Sequence, residues 1–175
     1  GVKFKKIGNS GFSLVEIIIV LAIISVLAGT VSYGLSFSSG KPAEECAQKV
    51  VSVLQHARTT TMGKYKVIIQ IKNDAGLISV EQNVYRSQMD YNNATPDVTE
   101  TTVGAKGVSF EYSSNGTDYT QLGEGAVLTL EFSRSTGALK DNGTGAYWQY
   151  FRISKAHTVK NIEIVPLTGR IELCE

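Results

Sequence analysis

The chain has 175 residues, with 17 basic and 16 acidic side chains and a formal net charge of +1, far from the cationic excess of a protein that coats itself in nucleic acid. Two cysteines and two histidines, with no CxxC and no Cys/His cluster, exclude a structural zinc site. No GxSxG, Gly-rich phosphate loop, HExxH or EF-hand spacing is present, so neither an enzyme activity nor a cofactor is expected.

Residues 1–11 carry Lys3, Lys5 and Lys6 and no acid. They form a short basic leader of the kind that the positive-inside rule holds in the cytoplasm. Without it the chain has 14 basic and 16 acidic residues, a net charge of −2. From Phe12 to Leu35 the chain is almost wholly apolar, long enough for a helix to span a bilayer core of about 20 residues. Its one ionisable residue is Glu16. A bare carboxylate in hydrocarbon costs about 2.5–3.5 kcal/mol on insertion scales, so Glu16 needs a cationic partner. The nearest candidate is an α-amino group created by a cut between Gly11 and Phe12. An ordinary secretory signal is cut after its apolar region; a cut here precedes it and leaves the helix on the mature chain. The plainer alternative is a membrane anchor with a stray glutamate near its end.

Beyond Leu35, small and polar residues lead to Pro42, which can kink a helix or restart one. Ala43, Cys46, Ala47, Val50, Val53, Leu54 and Ala57 recur at spacings of three and four, predicting an amphipathic helix to Met62, stopped at Gly63. Glu44, Glu45, Lys49, Gln55 and Arg58 fall mainly on its other side. The chain then turns to alternating β patterns. Lys64–Lys72 and Leu77–Tyr85, joined by Asn73-Asp74-Ala75-Gly76, predict a hairpin. Arg86 to Lys106 is polar and reads as a long surface excursion. Further strands are expected at Gly107–Ser113, Ala126–Ser133, Trp148–Ser154, Val159–Val165 and Gly169–Leu173, with turns between them. The sum is an α+β chain: a long N-terminal helical spine, half membrane and half amphipathic, packed on an antiparallel sheet or small sandwich. The segments are a leader at 1–11, a membrane and assembly helix at 12–40, an amphipathic half at 41–63 and a β-rich domain at 64–175.

Lys5-Lys6, then Gly11-Phe12-Ser13-Leu14-Val15-Glu16 and the apolar helix, resemble the prepilin leader of type IV pilins and pseudopilins. The resemblance implies a pilin-like fold, cleavage between Gly11 and Phe12 by a prepilin peptidase, and N-methylation of Phe12. It implies that Glu16 pairs with the N-terminal amine of a neighbouring subunit. The implied partners are other pilins or pseudopilins through the N-terminal helix, the peptidase, an inner-membrane assembly platform, and membrane lipid before assembly. The implied location is a single-pass cytoplasmic membrane protein, N-terminus cytoplasmic and soluble domain outside, and then a filament. Two stretches, LTLEFSRSTGALK and IEIVPLTGRIEL, are similar to the soluble domain of the GspH/FimT minor group, through Phe132 with Gly137 and through Thr168-Gly169-Arg170. That similarity implies a minor subunit of a type IV pilus or a type II secretion pseudopilus, with an assembly-priming role.

A second function class is DNA binding for uptake in competence. Trp148, Tyr150 and Arg152 fall on one face of a predicted strand, with Arg170 later, and aromatics with basics can hold single strands. FimT-like members resemble this through a Gly-Arg-any-Arg motif. Here Gly169-Arg170-Ile171 is followed by Glu172, an acid, which argues against DNA as a partner. Cys46 and Cys174 could form one disulfide in an exported domain or stay free. His56 reads as a packed or surface residue, His157 as part of a turn. Asp141-Asn142-Gly143 supplies too few oxygens for calcium and reads as a turn, so no metal is expected.

Overall fold

In a computed structural model the chain is described over residues 13–174, and within these the side chains of residues 26–39 are not described. The chain divides into two compact units, Gly1–Ser38 and Ser39–Glu175. Helix α1 (Leu14–Thr61) begins in the first unit, and Pro42 stands inside it. In the second unit follow β1 (Lys66–Asp74), β2 (Leu77–Tyr85), α2 (Gln88–Asn92), β3 (Asp97–Thr102), β4 (Ser109–Ser113), β5 (Thr120–Gln121), β6 (Val127–Glu131), β7 (Tyr150–Lys155), β8 (Thr158–Val165) and β9 (Arg170–Cys174). Two antiparallel sheets result. Sheet A has the order β3-β2-β1-β6 and sheet B the order β5-β4-β7-β8-β9.

The part of α1 in the second unit buries the predicted stripe. Ala43, Cys46, Ala47, Val50, Leu54 and Ala57 are fully buried. Their small side chains let the helix lie close to the sheets. One continuous apolar cluster joins them to Val67, Ile69, Ile71, Ile78 and Val80 of sheet A and to Phe110, Phe151, Ile153, Ile162 and Ile164 of sheet B. Alternation along each strand supplies these residues from one face. The Phe110 and Phe151 rings meet at 5.6 Å between centroids. Among the described residues, no buried side-chain nitrogen or oxygen lacks a hydrogen-bond partner.

The β1–β2 hairpin forms in the expected place. Asp74 pairs with Leu77, leaving Ala75 and Gly76 as a two-residue loop. Both loop residues have positive φ, at 50° and 80°, as the tight hairpin turn requires. Gly76 N–H donates to the Asn73 side chain at 3.1 Å.

Arg86 to Lys106 is not the irregular excursion that its composition predicts. Ser87 and Asp90 form a reciprocal capping box that starts α2. Asp97–Thr102 then pairs with β2 as the edge strand of sheet A. This strand is exposed on nearly all its residues, so it carries no apolar alternation to reveal it. The two-residue β5 also falls below what a sequence pattern can signal.

Candidate functional site

The start of α1 breaks the rule that the second unit obeys. Leu14 is 75% exposed, Ile17 47%, Leu21 57% and Ile24 53%, and the apolar residues between them are exposed as well. Successive residues step by about 100° around a helix, so these positions cover its whole circumference. A helix that is apolar all round needs an apolar surrounding, either lipid or other helices. Among the described residues no helix is long and apolar enough to cross a membrane; the described side chains of this segment end at Ser25.

Glu16 is exposed in the first turn of this helix. The Ser13 carbonyl accepts the Ile17 N–H at 3.2 Å and so closes that turn. The positive end of the helix dipole favours a carboxylate here. The carboxylate can accept charge-assisted bonds from an ammonium group, and it is the only ionisable group from Ser13 to Ser25. Gly11 and Phe12, the expected cleavage and methylation sites, lie outside the described residues, as do the leader lysines.

Of the nucleic-acid candidates, Tyr150, Arg152 and Arg170 share the outer face of sheet B and Trp148 does not. Trp148 stands before β7 and meets Tyr112 edge-on, with centroids 5.0 Å apart. Tyr112 is paired with Phe151, so both point to the core side, and Trp148 packs there with them. Tyr150 and Arg152 share the opposite face because they alternate with buried Phe151 and Ile153. The expectation of one shared face is therefore corrected: the chain has not yet entered the strand at Trp148, and its alternation does not extend there. Arg152 lies over the Tyr119 ring at 3.7 Å and 3.8 Å from the Glu111 carboxylate. Arg170 pairs with Glu172 at 3.0 Å, the acid that interrupts the Gly-Arg-any-Arg pattern.

The two cysteines are free and not joined. Cys46 is buried in α1 under Gly104, where a Cβ would stand 3.2 Å from its Sγ. Cys174 is half-buried on β9 opposite Asn161. Burial pushes the Cys46 thiol up to about 12, with Lys49 pulling weakly the other way. Asp141 accepts the Gly143 N–H at 2.8 Å and Asn142 the Thr144 N–H at 3.0 Å, so their oxygens serve local turns. His56 lines a groove with Ser52, Thr60, Gln82 and Thr99.

A residue assigned to the solvent side proves structural. Arg58 donates from Nε to the Gly137 carbonyl at 3.1 Å and from Nη2 to the Thr168 carbonyl at 2.8 Å. Gly137 and Gly169 both have positive φ, 70° and 66°. A Cβ on Gly169 would overlap the Gly137 carbonyl. The two turns that carry the C-terminal resemblance thus meet at one arginine. The partners are 79 and 110 residues from Arg58, so no local pattern announces the contact.

Residues 7–32 match the prokaryotic N-terminal methylation motif. The match covers the basic leader's end, Gly11, Phe12, Glu16 and the apolar run, and it indicates a type IV pilin-like prepilin processed by a peptidase. No curated protein and no solved structure shows a significant match to the chain.

Proposed function

We propose that the chain is a minor pilin or pseudopilin subunit that works by assembly, in a type IV pilus or a type II secretion pseudopilus. The observation that carries this reading is the start of α1, apolar around its whole circumference with Glu16 as its single charge. Such a helix is stored in lipid and then transferred into a bundle of like helices. An N-terminal amine from a neighbour neutralises Glu16 in that bundle. A wrong register leaves a carboxylate unpaired, which disfavours misassembly. The β-rich unit is carried outward by the bundle, and the C-terminal resemblance favours the GspH/FimT minor class with a priming role.

Two measurements test the reading. The mass of the mature N-terminus should correspond to a chain beginning at methylated Phe12; an intact leader on the membrane-inserted protein would refute processing. Glu16→Ala should leave insertion and cleavage unchanged and reduce filament incorporation at least tenfold. Normal incorporation would refute the pairing role.

The arginines proposed for DNA are each held beside a carboxylate, which leaves little free positive charge on that face. The expected outcome of a titration with single-stranded DNA at 50 mM salt is no measurable binding. Salt-dependent binding that Arg170→Ala weakens would instead establish the competence reading.

A further inference from the structure

Sheet A leaves backbone groups unpaired on both sides; on the β6 side these are the groups of Val127 and Thr129, since residues 138–140 pair with the chain from Glu131 to Ser133. On one side the Val103 N–H donates to the Ile78 carbonyl at 2.9 Å. The odd-numbered residues of β3 therefore turn their backbone groups toward β2, and Val98, Glu100 and Thr102 turn theirs outward. On the other side Asn73 N–H donates to the Ala126 carbonyl at 3.3 Å and Lys140 N–H to the Glu131 carbonyl at 2.8 Å. The even-numbered residues of β6 thus face β1, and Val127 and Thr129 face outward. Among the described residues no backbone or side-chain group bonds to the outward N–H and C=O groups of Val98, Glu100, Thr102, Val127 or Thr129. A groove of about 390 Å³ runs beside β6, between Thr129, the rings of Tyr112 and Trp148, and Lys140–Asn142.

Directions and faces also agree. Each neighbour in sheet A is antiparallel, so β3 and β6 run in opposite senses. A copy shifted along the sheet without rotation brings its β3 antiparallel to β6. The registers align Thr102 with Ser79, Lys72 and Val127 in one row, and Glu100 with Glu81, Gln70 and Thr129 in the next. Both rows carry their side chains on the same face of the sheet. Exposed valines stand at both edges, Val98 at 57% and Val127 at 50%. The β3 edge brings the acids Asp97 and Glu100. Beside β6, the half-exposed Lys140 shares Glu131 with Lys66.

We propose that the occupant of this edge is a second copy of the chain: β3 of one subunit adds to β6 of the next and extends sheet A head to tail. Thr99 and Thr101 of the added strand then face the groove beside Tyr112 and Trp148, and Glu100 comes beside Lys140. Unlike surfaces meet, so the contact generates an open array and not a closed dimer. The inference deepens the assembly reading by naming a second contact between subunits, outside the N-terminal helix.

The test is disulfide trapping in the full chain in its membrane, on a Cys174→Ser background. Facing residues of a hydrogen-bonded antiparallel pair have Cα atoms about 5.5 Å apart, within disulfide range. Glu100→Cys with Thr129→Cys, oxidised with diamide, should give a ladder of dimers, trimers and longer species. Each single variant should stay monomeric. The pair Val98→Cys with Val127→Cys is four residues out of register and should link at least fivefold less. Absence of a ladder while both thiols react with maleimide would overturn the proposal, because the edges are then accessible yet unpaired. Dimers from either single variant would also overturn it, by showing like edges together. N-terminal mass, read on the same samples, reports processing independently of edge pairing.

Discussion

Gly169→Ala tests whether the two C-terminal turns are held as one unit by Arg58. The substitution has two costs. Alanine at a φ of 66° loses about 1–2 kcal/mol relative to glycine, from the Cβ clash with its own backbone. The new Cβ also overlaps the Gly137 carbonyl, so one turn must move and Arg58 loses its reach to Gly137 or Thr168. A hydrogen bond to a charged group contributes about 1.5–3 kcal/mol, and the half-exposed guanidinium places this one at the low end. Together the loss is about 2.5–3.5 kcal/mol. Gly76→Ala is the internal control: its φ is 80° but a Cβ there meets nothing within 4 Å, so only the backbone cost of about 1–2 kcal/mol applies. In thermal unfolding followed by Trp148, the single tryptophan, the two variants should lower Tm by roughly 10 °C and roughly 4 °C respectively. Arg58→Ala combined with Gly169→Ala should cost less than the sum of the two by roughly 1 kcal/mol, since both remove the same contact. Equal shifts for Gly169→Ala and Gly76→Ala, or full additivity with Arg58→Ala, would refute the reasoning.

Two further outcomes follow from ionisable groups. At pH 8 the Cys46 thiol, raised to about 12 by burial, holds roughly one part in ten thousand as thiolate; native protein treated with iodoacetamide should be modified at Cys174 and spared at Cys46, and comparable labelling of both by mass spectrometry would contradict the buried placement. The Glu81 carboxyl is held below the usual range by its bond from Lys72 and then by Asn83. A depressed carboxylate stabilises the fold above its unfolded value, and that stability is lost as pH falls through the folded one. Glu81→Gln should therefore lower stability near pH 7 by about 0.5 kcal/mol, the scale of a surface pair. The difference should vanish in acid titrations below the carboxylate range, whereas a gap that persists there would mean that Glu81 acts through packing and not charge.

Local patterns revealed most of this architecture. The amphipathic half of α1 and the strands that bury one face announce themselves because burial imposes a period, as at Val50, Leu54, Ile69 and Ile71. Glu16 stands out for the opposite reason: it is the single charge in an apolar run, where an ionised group is costly. What escaped is what burial does not pattern. β3 is polar on both faces and is defined by pairing with β2. Trp148 lies two residues before β7, where the strand's alternation no longer sets the face on which an aromatic stands. Arg58 looks like a solvent-side cation at the end of a helix, and only the tertiary approach of two distant glycine turns gives it partners.

The places where the chain departs from its own folding rules also separate assembly from stability. In the second unit a single cluster buries the apolar faces of the helix and strands, with Met89 and Leu167 among the apolar residues left exposed, and the described polar groups that are buried find partners. Two features disobey. Leu14 to Ile24 exposes apolar residues on every side, and both sheets end in edge strands, β3 and β6 in sheet A and β5 and β9 in sheet B. Neither feature can be satisfied within one copy. The helix lacks a polar face to present to water, and each edge strand has no remaining strand of the same sheet to accept. A sequence that satisfies its core so fully and leaves these two surfaces unsatisfied is consistent with a partner that supplies both. Other copies of the same chain would meet both needs, helix against helix and edge against edge.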